Sequence, residues 1–283
     1  MRVMTTFSYP LRFKAIDRSK IWGVERWLVS ALPSCPSIVS NGPLRGRRLD
    51  EILPGFPVLV KEISTNRWLS VQVHPGEEAC KVTGGLPKSE MWRVLSPGPL
   101  MAGFKEGTTK ADVEKAVAEG NVAAKLALYD TEIGDVFNIP PGLVHALGAG
   151  IRVFEVQQAS DTTFRLYDWD RTDGRGVKRE LHVRQSLASI DMNVRGAGRV
   201  KASEVRDFRF FDDAFDGAFE IDTGCDFAIV YCAVGEMVVA GERLAAGGCA
   251  LLPPGMHADA ESSKAQVLTV RTDGSFLGRE QVS

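Results

Sequence analysis

Two stretches of the chain share one pattern, and this repeat constrains the fold more than any other feature of the sequence. Residues 134–145 and 248–257 each contain a glycine turn, a short apolar run, Pro-Pro-Gly and then a histidine. Similar units repeated within one chain indicate a duplicated structural module. Short apolar runs between Gly and Pro turn signals are typical of β-strands. The repeat therefore predicts two related β-modules.

The composition is that of an ordinary globular protein and argues against several classes of function. The chain has 283 residues, 44% of them hydrophobic and 25% charged, with a formal net charge of −2. It has no basic arm and no run of like charge, so we expect neither nucleic acid nor an anionic membrane as a partner. No apolar run approaches the ~20 residues that span a bilayer, and the N-terminal residues lack the apolar core of a signal peptide. The five cysteines are odd in number and form no C-x-x-C pair, which favours a reducing cytoplasm.

Helices are predicted in two regions, and residues 49–53 could form one further helical turn. Residues 108–126 carry apolar side chains at helical spacing, with Thr108 or Thr109 as a natural N-cap. A second helical stretch near residues 180–190 is expected to separate the two β-modules. Both helices are interpreted as packing elements and connectors.

An alternating stretch at residues 69–75 carries the first candidate ligands. The apolar run 56–63 before it is predicted to be a buried strand, and a turn at Asn66 predicts that the two form a hairpin. An imidazole and a carboxamide two residues apart on a strand can reach one metal ion. The alternative is a half-buried strand with its polar side chains in solvent, because a lone histidine is usually structural. The polar face consists of Ser70, Gln72 and His74.

The spacing of two motifs resembles that of the cupins, which are small double-sheet β-barrels. The pattern Gly-x5-Pro-x-Gly-x2-His at 134–145 is similar to the second cupin motif. The pattern Gln-x-His-x3-Glu-x6-Gly at 72–85 is similar to the first, with Gln72 in place of the leading histidine. Cupin spacing selects Glu78 as the carboxylate ligand, whereas the alternation of the strand near residue 90 favours Glu90. At this point either carboxylate could be the metal ligand.

A longer run of segments resembles the type I mannose-6-phosphate isomerase (phosphomannose isomerase) family in its short bacterial form. These segments cover residues 20–190 approximately and occur in the family's order. Such a run is far more specific than a single motif. The matching segments are 21–23, 40–44, 69–75, 88–92, 134–140, 145–150, 155–171 and 179–182.

The resemblance implies a set of site residues. It implies one zinc ion per chain and resolves the carboxylate in favour of Glu90; the implied metal ligands are Gln72, His74, Glu90 and His145. The implied catalytic residues are Arg165, Lys88 and Asp161, and the implied substrate contacts are Lys88, Arg165, Ser70, Trp22 and Glu155. The proton-transfer base stays open among Asp161, His74 and a zinc-bound water.

Other interpretations of these residues remain. Arg165 follows Asp161 by four residues, so the two could form a structural ion pair, and Glu155 could be a second-shell partner or an ordinary carboxylate at the edge of the core. The chain also departs from the family. Trp22 is followed almost directly by residues 24–27 instead of a helical insert, which trims the wall expected near the mouth of the active site and leaves the exact sugar open. In addition, Phe164 replaces a tyrosine.

The expected fold class is mainly β, with two cupin-like jelly-roll modules and a few short helices. Residues 1–192 are predicted to form the catalytic cupin domain with its helical insert, and 193–283 a smaller, metal-free one, since His257 lacks a Gln/His-x-His partner. The implied reaction interconverts mannose 6-phosphate and fructose 6-phosphate through a cis-enediol. The alternatives are an isomerase of another phosphorylated sugar or a non-catalytic cupin that binds sugar phosphates. The protein is expected to be a monomer or homodimer whose partner is the small sugar phosphate.

Overall fold

The computed structural model describes residues 7–194, 203–205 and 207–273. These residues are mainly β, in three sheets with antiparallel pairing and a few short helices. No helix among them is both long and apolar enough to cross a membrane.

The strands and helices of the first two thirds of the chain are short. The strands are β1 Leu11–Lys14, β2 Ile16–Lys20, β3 Gly23–Val29, β4 Ile38–Val39, β5 Val58–Thr65, β6 Val71–Val73, β7 Glu90–Ser96, β8 Pro99–Phe104, β9 Leu126–Asp130, β10 Val136–Ile139, β11 His145–Leu147, β12 Arg152–Gln158 and β13 Phe164–Tyr167. The helices are α1 Leu49–Ile52, α2 Glu77–Thr83, α3 Lys110–Ala118 and α4 Val183–Ser189, with a 3-10 helix at Val122–Lys125.

The remaining strands include the three longest in the described chain. They are β14 Ser203–Val205, β15 Phe208–Asp222, β16 Asp226–Val239, β17 Glu242–Ala245, β18 Cys249–Leu252 and β19 His257–Asp273.

The described residues fall into two compact units. The C-terminal unit takes the described residues within Met1–Ile16, Arg26–Lys61 and Lys201–Ser283, and the central unit takes those within Asp17–Glu25 and Glu62–Val200. This grouping is not a simple division along the chain, because an early segment joins the late strands. The predicted domains at 1–192 and 193–283 stay predictions.

The C-terminal unit contains one large sheet with strand order β14-β15-β19-β16-β18-β1-β4, and β17 pairs with β16. Its longest strands bend where the register shifts, between Phe215 and Gly217 on β15 and between Cys232 and Val234 on β16. Bulges of this kind increase the local twist and bend a strand. The second Pro-Pro-Gly repeat ends in this unit at His257, which is exposed and lies 3.6 Å from the Asp222 carboxylate.

Two sheets run through the central part of the fold. Their strand orders are β10-β7-β12-β5-β3-β2 and β13-β6-β11-β8-β9. A buried apolar cluster takes side chains from both sheets, so these sheets face each other across a core: Trp22, Ile63, Leu69, Trp92, Val94, Leu100, Ala102, Phe137, Ile139, Leu143, Leu147, Ile151 and Val153. On the other face of the five-stranded sheet, Val71 and Val73 pack with Val113 and Ala116 of α3. Successive side chains of a strand point to opposite faces, which leaves the intervening polar residues of β6 facing the inner side.

Several sequence expectations are confirmed and one is wrong. The helix expected within 108–126 is α3, and Thr109 caps it in a reciprocal capping box with Asp112. The helix expected near 180–190 is α4. The predicted hairpin is absent, because β5 joins β12 and β3 whereas β6 joins β13 and β11 in the other sheet. Apolar spacing identifies a strand but does not identify its neighbour.

Candidate metal centre

A row of polar side chains crosses the inner face of the five-stranded sheet. Arg165 of β13 lies opposite Gln72 of β6, and Gln72 lies opposite His145 of β11. Directly opposed residues of antiparallel strands share a face, with Cβ atoms about 4.5–5.5 Å apart. The pairing register therefore brings together residues that are 93 positions apart in the chain, 72 to 165.

Glu90 reaches this row from the facing sheet. It lies on β7 opposite Ile139 of β10, a member of the core cluster between the sheets. Its Oε1 lies 3.1 Å from Nε2 of His74, and its Oε2 lies 3.8 Å from Nε2 of His145. The potential ligand atoms of the three residues all lie within 4.8 Å of one another, and all three side chains are buried. The two sheets thus form one compact cluster of two imidazoles and a carboxylate.

Backbone carbonyls fix the orientation of both imidazoles. Nδ1 of His74 lies 3.0 Å from the carbonyl oxygen of Thr162, and Nδ1 of His145 lies 2.9 Å from that of Leu143. A carbonyl only accepts hydrogen bonds, so each Nδ1 carries the proton and each Nε2 directs its lone pair toward Glu90. Metal-binding histidines characteristically donate their other N–H in this way.

The cluster has the properties expected of a cation site. Nε2 of His74 and Oε2 of Glu90 are buried without a hydrogen-bond partner. Lone pairs of imidazole and carboxylate that face each other in a buried cluster are unfavourable unless a cation lies between them. Two imidazole nitrogens and a carboxylate oxygen are also ligands that zinc takes.

Gln72 completes the set after a simple rotation of its amide. Its Nε2 lies 3.3 Å from Nε2 of His145, and its Oε1 accepts a hydrogen bond of 3.2 Å from Oγ of Ser70. A half-turn of the amide directs Oε1 into the cluster and lets Nε2 donate to the Ser70 hydroxyl. The four predicted ligands therefore fit a divalent metal ion, and Ser70 lies where it can hold Gln72.

Burial and neighbouring charge set the protonation of the cluster. Burial lowers the pKa of His145 to about 3 and also lowers the pKa of His74. Burial alone raises the pKa of Glu90, but the adjacent His74 and Lys88 outweigh it and hold that pKa well below its usual range. The Lys88 ammonium lies 2.7 Å from Oε1 of Glu90 and is itself buried. At neutral pH the cluster therefore offers neutral imidazoles and an ionised carboxylate.

Three other residues considered in the sequence analysis differ in their burial and in their relation to the cluster. Arg165 is half-buried; its Nη1 donates to the carbonyl of Glu180 at 2.8 Å, and its Nε is buried without a hydrogen-bond partner. Asp161 is exposed and directly precedes Thr162, whose carbonyl orients His74. The alternative carboxylate, Glu78, lies in α2 with its side chain 85% exposed and paired with Lys81, outside the cluster.

Two predicted substrate contacts lie in the packing around the cluster. Glu155 accepts a hydrogen bond of 2.7 Å from Nε1 of Trp92, whose ring meets the His145 ring edge-on at 5.3 Å between centroids. Trp22 is buried in the core cluster between the sheets. These positions fit residues that orient the site, and substrate contacts by Glu155 and Trp22 stay predictions without support from the geometry.

Sequence reasoning missed the role of one histidine. His182 is not among the predicted ligands, and it is indeed outside the cluster, but its Nδ1 accepts a hydrogen bond of 3.2 Å from the backbone N–H of Arg165. The backbone N–H of His182 in turn donates to the carbonyl of Arg165 at 2.7 Å. The only available signal was that residues 179–182 belong to the matching segments.

Replacing the buried carboxylate should abolish tight metal binding. We expect Glu90→Gln to weaken zinc affinity by more than about 100-fold, since even outer-shell partners of metal ligands are worth 10–100-fold. Competition against a fluorescent zinc chelator measures this affinity. Glu78→Gln is the matched control and should bind zinc like the unaltered protein; equal affinities in all three proteins would exclude Glu90 as a ligand.

The buried imidazoles should make the metal-free protein sensitive to acid. His145 has a pKa of about 3 when folded and about 6.5 when unfolded. The unfolded chain thus binds more protons between these values, and stability is lost as the pH falls below about 6.5. His145→Gln should reduce this slope by about 1.4 kcal/mol per pH unit between pH 6 and 4, measured by urea unfolding. His257→Gln, at an exposed position, should leave the slope unchanged, and an unaltered slope in both variants would contradict the assignment.

We compared the chain with protein-family models, with curated proteins and with solved structures. The models of known protein families give no match to the chain. Among curated proteins, the chain is 36% identical over 210 residues to a mannose-6-phosphate isomerase of Streptococcus mutans, covering 63% of this chain and 66% of that protein. It is 34% identical over 216 residues to mannose-6-phosphate isomerase ManA of Bacillus subtilis, covering 65% and 68%. The alignment thus spans about two thirds of the length of these relatives.

The solved structures extend the likeness over nearly the whole chain. The mannose 6-phosphate isomerase of Bacillus subtilis matches with a TM-score of 0.82 and 25% identity, covering 93% of this chain and 99% of that one. A putative mannosephosphate isomerase of Archaeoglobus fulgidus matches in fold with a TM-score of 0.78 at 23% identity, covering 94% and 98%. These matches confirm the predicted fold class, mainly β and cupin-like. With 34% identity over 68% of a curated relative and this agreement in fold, the chain belongs to the mannose-6-phosphate isomerase family.

Proposed function

We propose that the protein is a zinc-dependent aldose–ketose isomerase that interconverts mannose 6-phosphate and fructose 6-phosphate. One observation carries the proposal: a buried cluster of His74, Glu90 and His145, with Arg165 in the adjoining position of the same sheet face. Family membership supplies the substrate class. The relatives carry the names of mannose-6-phosphate isomerases, and this activity is extended here to the chain.

Gln72, His74, Glu90 and His145 would hold one zinc ion per chain. A bound zinc ion supplies Lewis-acid stabilisation for negative charge on the sugar oxygens. The carboxylate of Glu90 is held ionised for this task by Lys88, whose ammonium lies 2.7 Å from Oε1. Lys88 is buried, so its first role is to neutralise this carboxylate, and its contact with the substrate phosphate stays a prediction.

Arg165 is the cation best placed to act on the substrate. Its strand position opposite Gln72 puts it beside the metal ligands, and its guanidinium is only half-buried. Burial, and next the charge of Arg179, lower the pKa of Arg165, but an arginine remains protonated at neutral pH. A fixed cation in a partly desolvated site stabilises the negative charge that develops on the oxygens of a cis-enediol.

The reaction also needs a group that moves a proton between C1 and C2. His74 is poorly suited, because its Nδ1 proton is donated to Thr162 and its Nε2 faces Glu90. Asp161 is exposed and directly precedes Thr162, whose carbonyl accepts the hydrogen bond from His74. Asp161 is therefore the base that we propose.

The remaining expectations concern the setting of the enzyme. The five cysteines, all within the described residues, form no disulfide, which agrees with the cytoplasmic location that we propose from their spacing. A monomer or homodimer and a catalytic domain at residues 1–192 stay predictions.

Replacing the arginine tests the proposed chemistry. Arg165→Ala should lower kcat/KM for mannose 6-phosphate by about 100-fold or more, the magnitude seen when one preorganised donor to a developing charge is removed. Its zinc content should stay at that of the unaltered protein. A coupled assay measures the rate and atomic emission measures the zinc. Arg175→Ala is the matched control, because Arg175 lies in the same part of the chain with its side chain 85% exposed.

Each other outcome of this assay points to a different function. Turnover that persists after chelation and removal of zinc would contradict the metal dependence. Turnover of another phosphorylated sugar, but not of mannose 6-phosphate, would indicate an isomerase of different specificity. Zinc-loaded protein that turns over neither sugar would favour a non-catalytic cupin that binds sugar phosphates. Loss of zinc in Arg165→Ala would assign that residue a structural role.

A further inference from the structure

Asp168, directly after β13, is a buried carboxylate that binds two arginines. Its Oδ1 accepts hydrogen bonds from Nε and Nη2 of Arg171 at 3.0 and 2.6 Å, and its Oδ2 accepts one from Nε of Arg179 at 2.8 Å. Nη2 of Arg179 also donates to Oδ1. Burial alone raises the pKa of Asp168, but these hydrogen bonds hold it below its ordinary value. The carboxylate is therefore ionised, and its geometry is fixed by guanidinium forks on two sides.

The Arg179 side of this network leads directly to Arg165. Glu180, the next residue, accepts the hydrogen bond from Nη1 of Arg165 through its carbonyl. Two residues further on, His182 bonds both backbone groups of Arg165. Because Arg179 is tied to Asp168, the segment 179–182 is held against β13 at both ends. The same segment thus orients the backbone and the guanidinium of Arg165.

The Arg171 side leads to the chain just before β6, which carries the metal ligands Gln72 and, one residue past its end, His74. Nη1 of Arg171 donates to the carbonyl of Trp68, and Nε1 of Trp169 donates to the carbonyl of Leu69. Trp169 and Asp170 adopt positive φ angles of 58° and 51°. Such backbone is tolerated by aspartate but unfavourable for a bulky residue such as tryptophan, and there it persists where surrounding contacts hold it.

The charges around Asp168 explain why this carboxylate matters to Arg165. The positive charges of Arg179 and Arg171 act unfavourably on the Arg165 guanidinium, whereas the negative charge of Asp168 acts favourably. Without this carboxylate, three guanidinium groups would share one small region, and of the two favourable negative charges only the weaker one, that of Glu180, would remain. Like charges so arranged repel and disfavour a single compact geometry.

We propose that Asp168, acting through its ion pair with Arg179, is a positioning residue for Arg165. It holds the Glu180 carbonyl and His182 where they orient the arginine, and it makes no contact with substrate itself. The kinetic consequence rests on the proposed isomerase function. The positioning is measurable without any turnover, so failure of either claim is recognisable separately.

Amide hydrogen exchange tests the positioning directly. In protein labelled with ¹⁵N-arginine, the backbone N–H of Arg165, which bonds to His182, should exchange at least about tenfold faster in Asp168→Asn and in Arg179→Ala. Arg175 is an exposed arginine of the same loop. The control variant Arg175→Ala should therefore leave the exchange rate of the Arg165 amide within about twofold of that in the unaltered protein. Arg179→Lys keeps the charge but not the fork, and we expect an intermediate rate. Exchange at Arg165 that is unchanged in the folded Asp168 and Arg179 variants would overturn the proposal.

A double-mutant cycle distinguishes positioning from a general structural role. Asp168→Asn should lower kcat per bound zinc by about 10- to 100-fold with little change in KM, because small displacements of a catalytic group have effects of this size. In an Arg165→Ala background the same substitution should have almost no further effect, since residues that act through one another are not additive. Fully additive losses would overturn the proposal. If the unaltered enzyme does not isomerise mannose 6-phosphate, the proposed function fails and the exchange rates alone decide the positioning.

Discussion

The burial of the Glu90 carboxylate is the constraint on which the rest of the site depends. An isolated carboxylate is strongly disfavoured in a protein interior, and it remains ionised there only beside cations or a metal ion. The Lys88 ammonium at 2.7 Å supplies one positive charge. The unpartnered Oε2 of Glu90 and Nε2 of His74 indicate a second cation between them. The cluster is therefore incomplete as a purely structural core, and it is consistent with a metal site.

The two facing sheets place the Glu90 carboxylate beside the other polar side chains of the site. One sheet supplies Glu90 on β7, and the other supplies Gln72, His145 and Arg165 from three adjacent strands. Backbone carbonyls then orient the two imidazoles, that of Thr162 for His74 and that of Leu143 for His145. Sites built on sheet strands hold side chains more accurately than sites built on loops. Arg165 lies on a short strand, β13, and needs additional support. We propose that the hydrogen bonds of Asp168 supply this support through the segment 179–182.

The sequence predicted those parts of the site that follow from local pattern. Strand alternation put Gln72 and His74 on one face, and the glycine-proline pattern at residues 134–145 predicted the short strand Val136–Ile139 and made His145 a candidate ligand. Spacing alone could not choose between Glu78 and Glu90; the family resemblance chose Glu90, and the structure shows it buried with the histidines. The hairpin between β5 and β6 was predicted wrongly, because the choice of strand partner depends on the whole sheet.

Sequence patterns did not predict the hydrogen bonds between residues that are far apart in the chain. The bonds of His182 to Arg165 and of Asp168 to Arg179 join residues 17 and 11 positions apart. Both depend on the course of a loop whose backbone includes positive φ angles at Trp169 and Asp170. Aspartate tolerates such an angle, but turn propensities do not anticipate one at a tryptophan. The burial of Trp22 likewise follows from packing between two sheets and not from its own neighbours in the chain.

X-ray absorption spectroscopy of the zinc-loaded protein tests the central claim most directly. A zinc ion held by Gln72, His74, Glu90 and His145 should give one zinc per chain with only nitrogen and oxygen as ligand atoms, at about 2.0–2.2 Å, and multiple scattering from two imidazole rings. A first shell containing sulfur at about 2.3 Å, a single imidazole, or a protein that retains no zinc would contradict it.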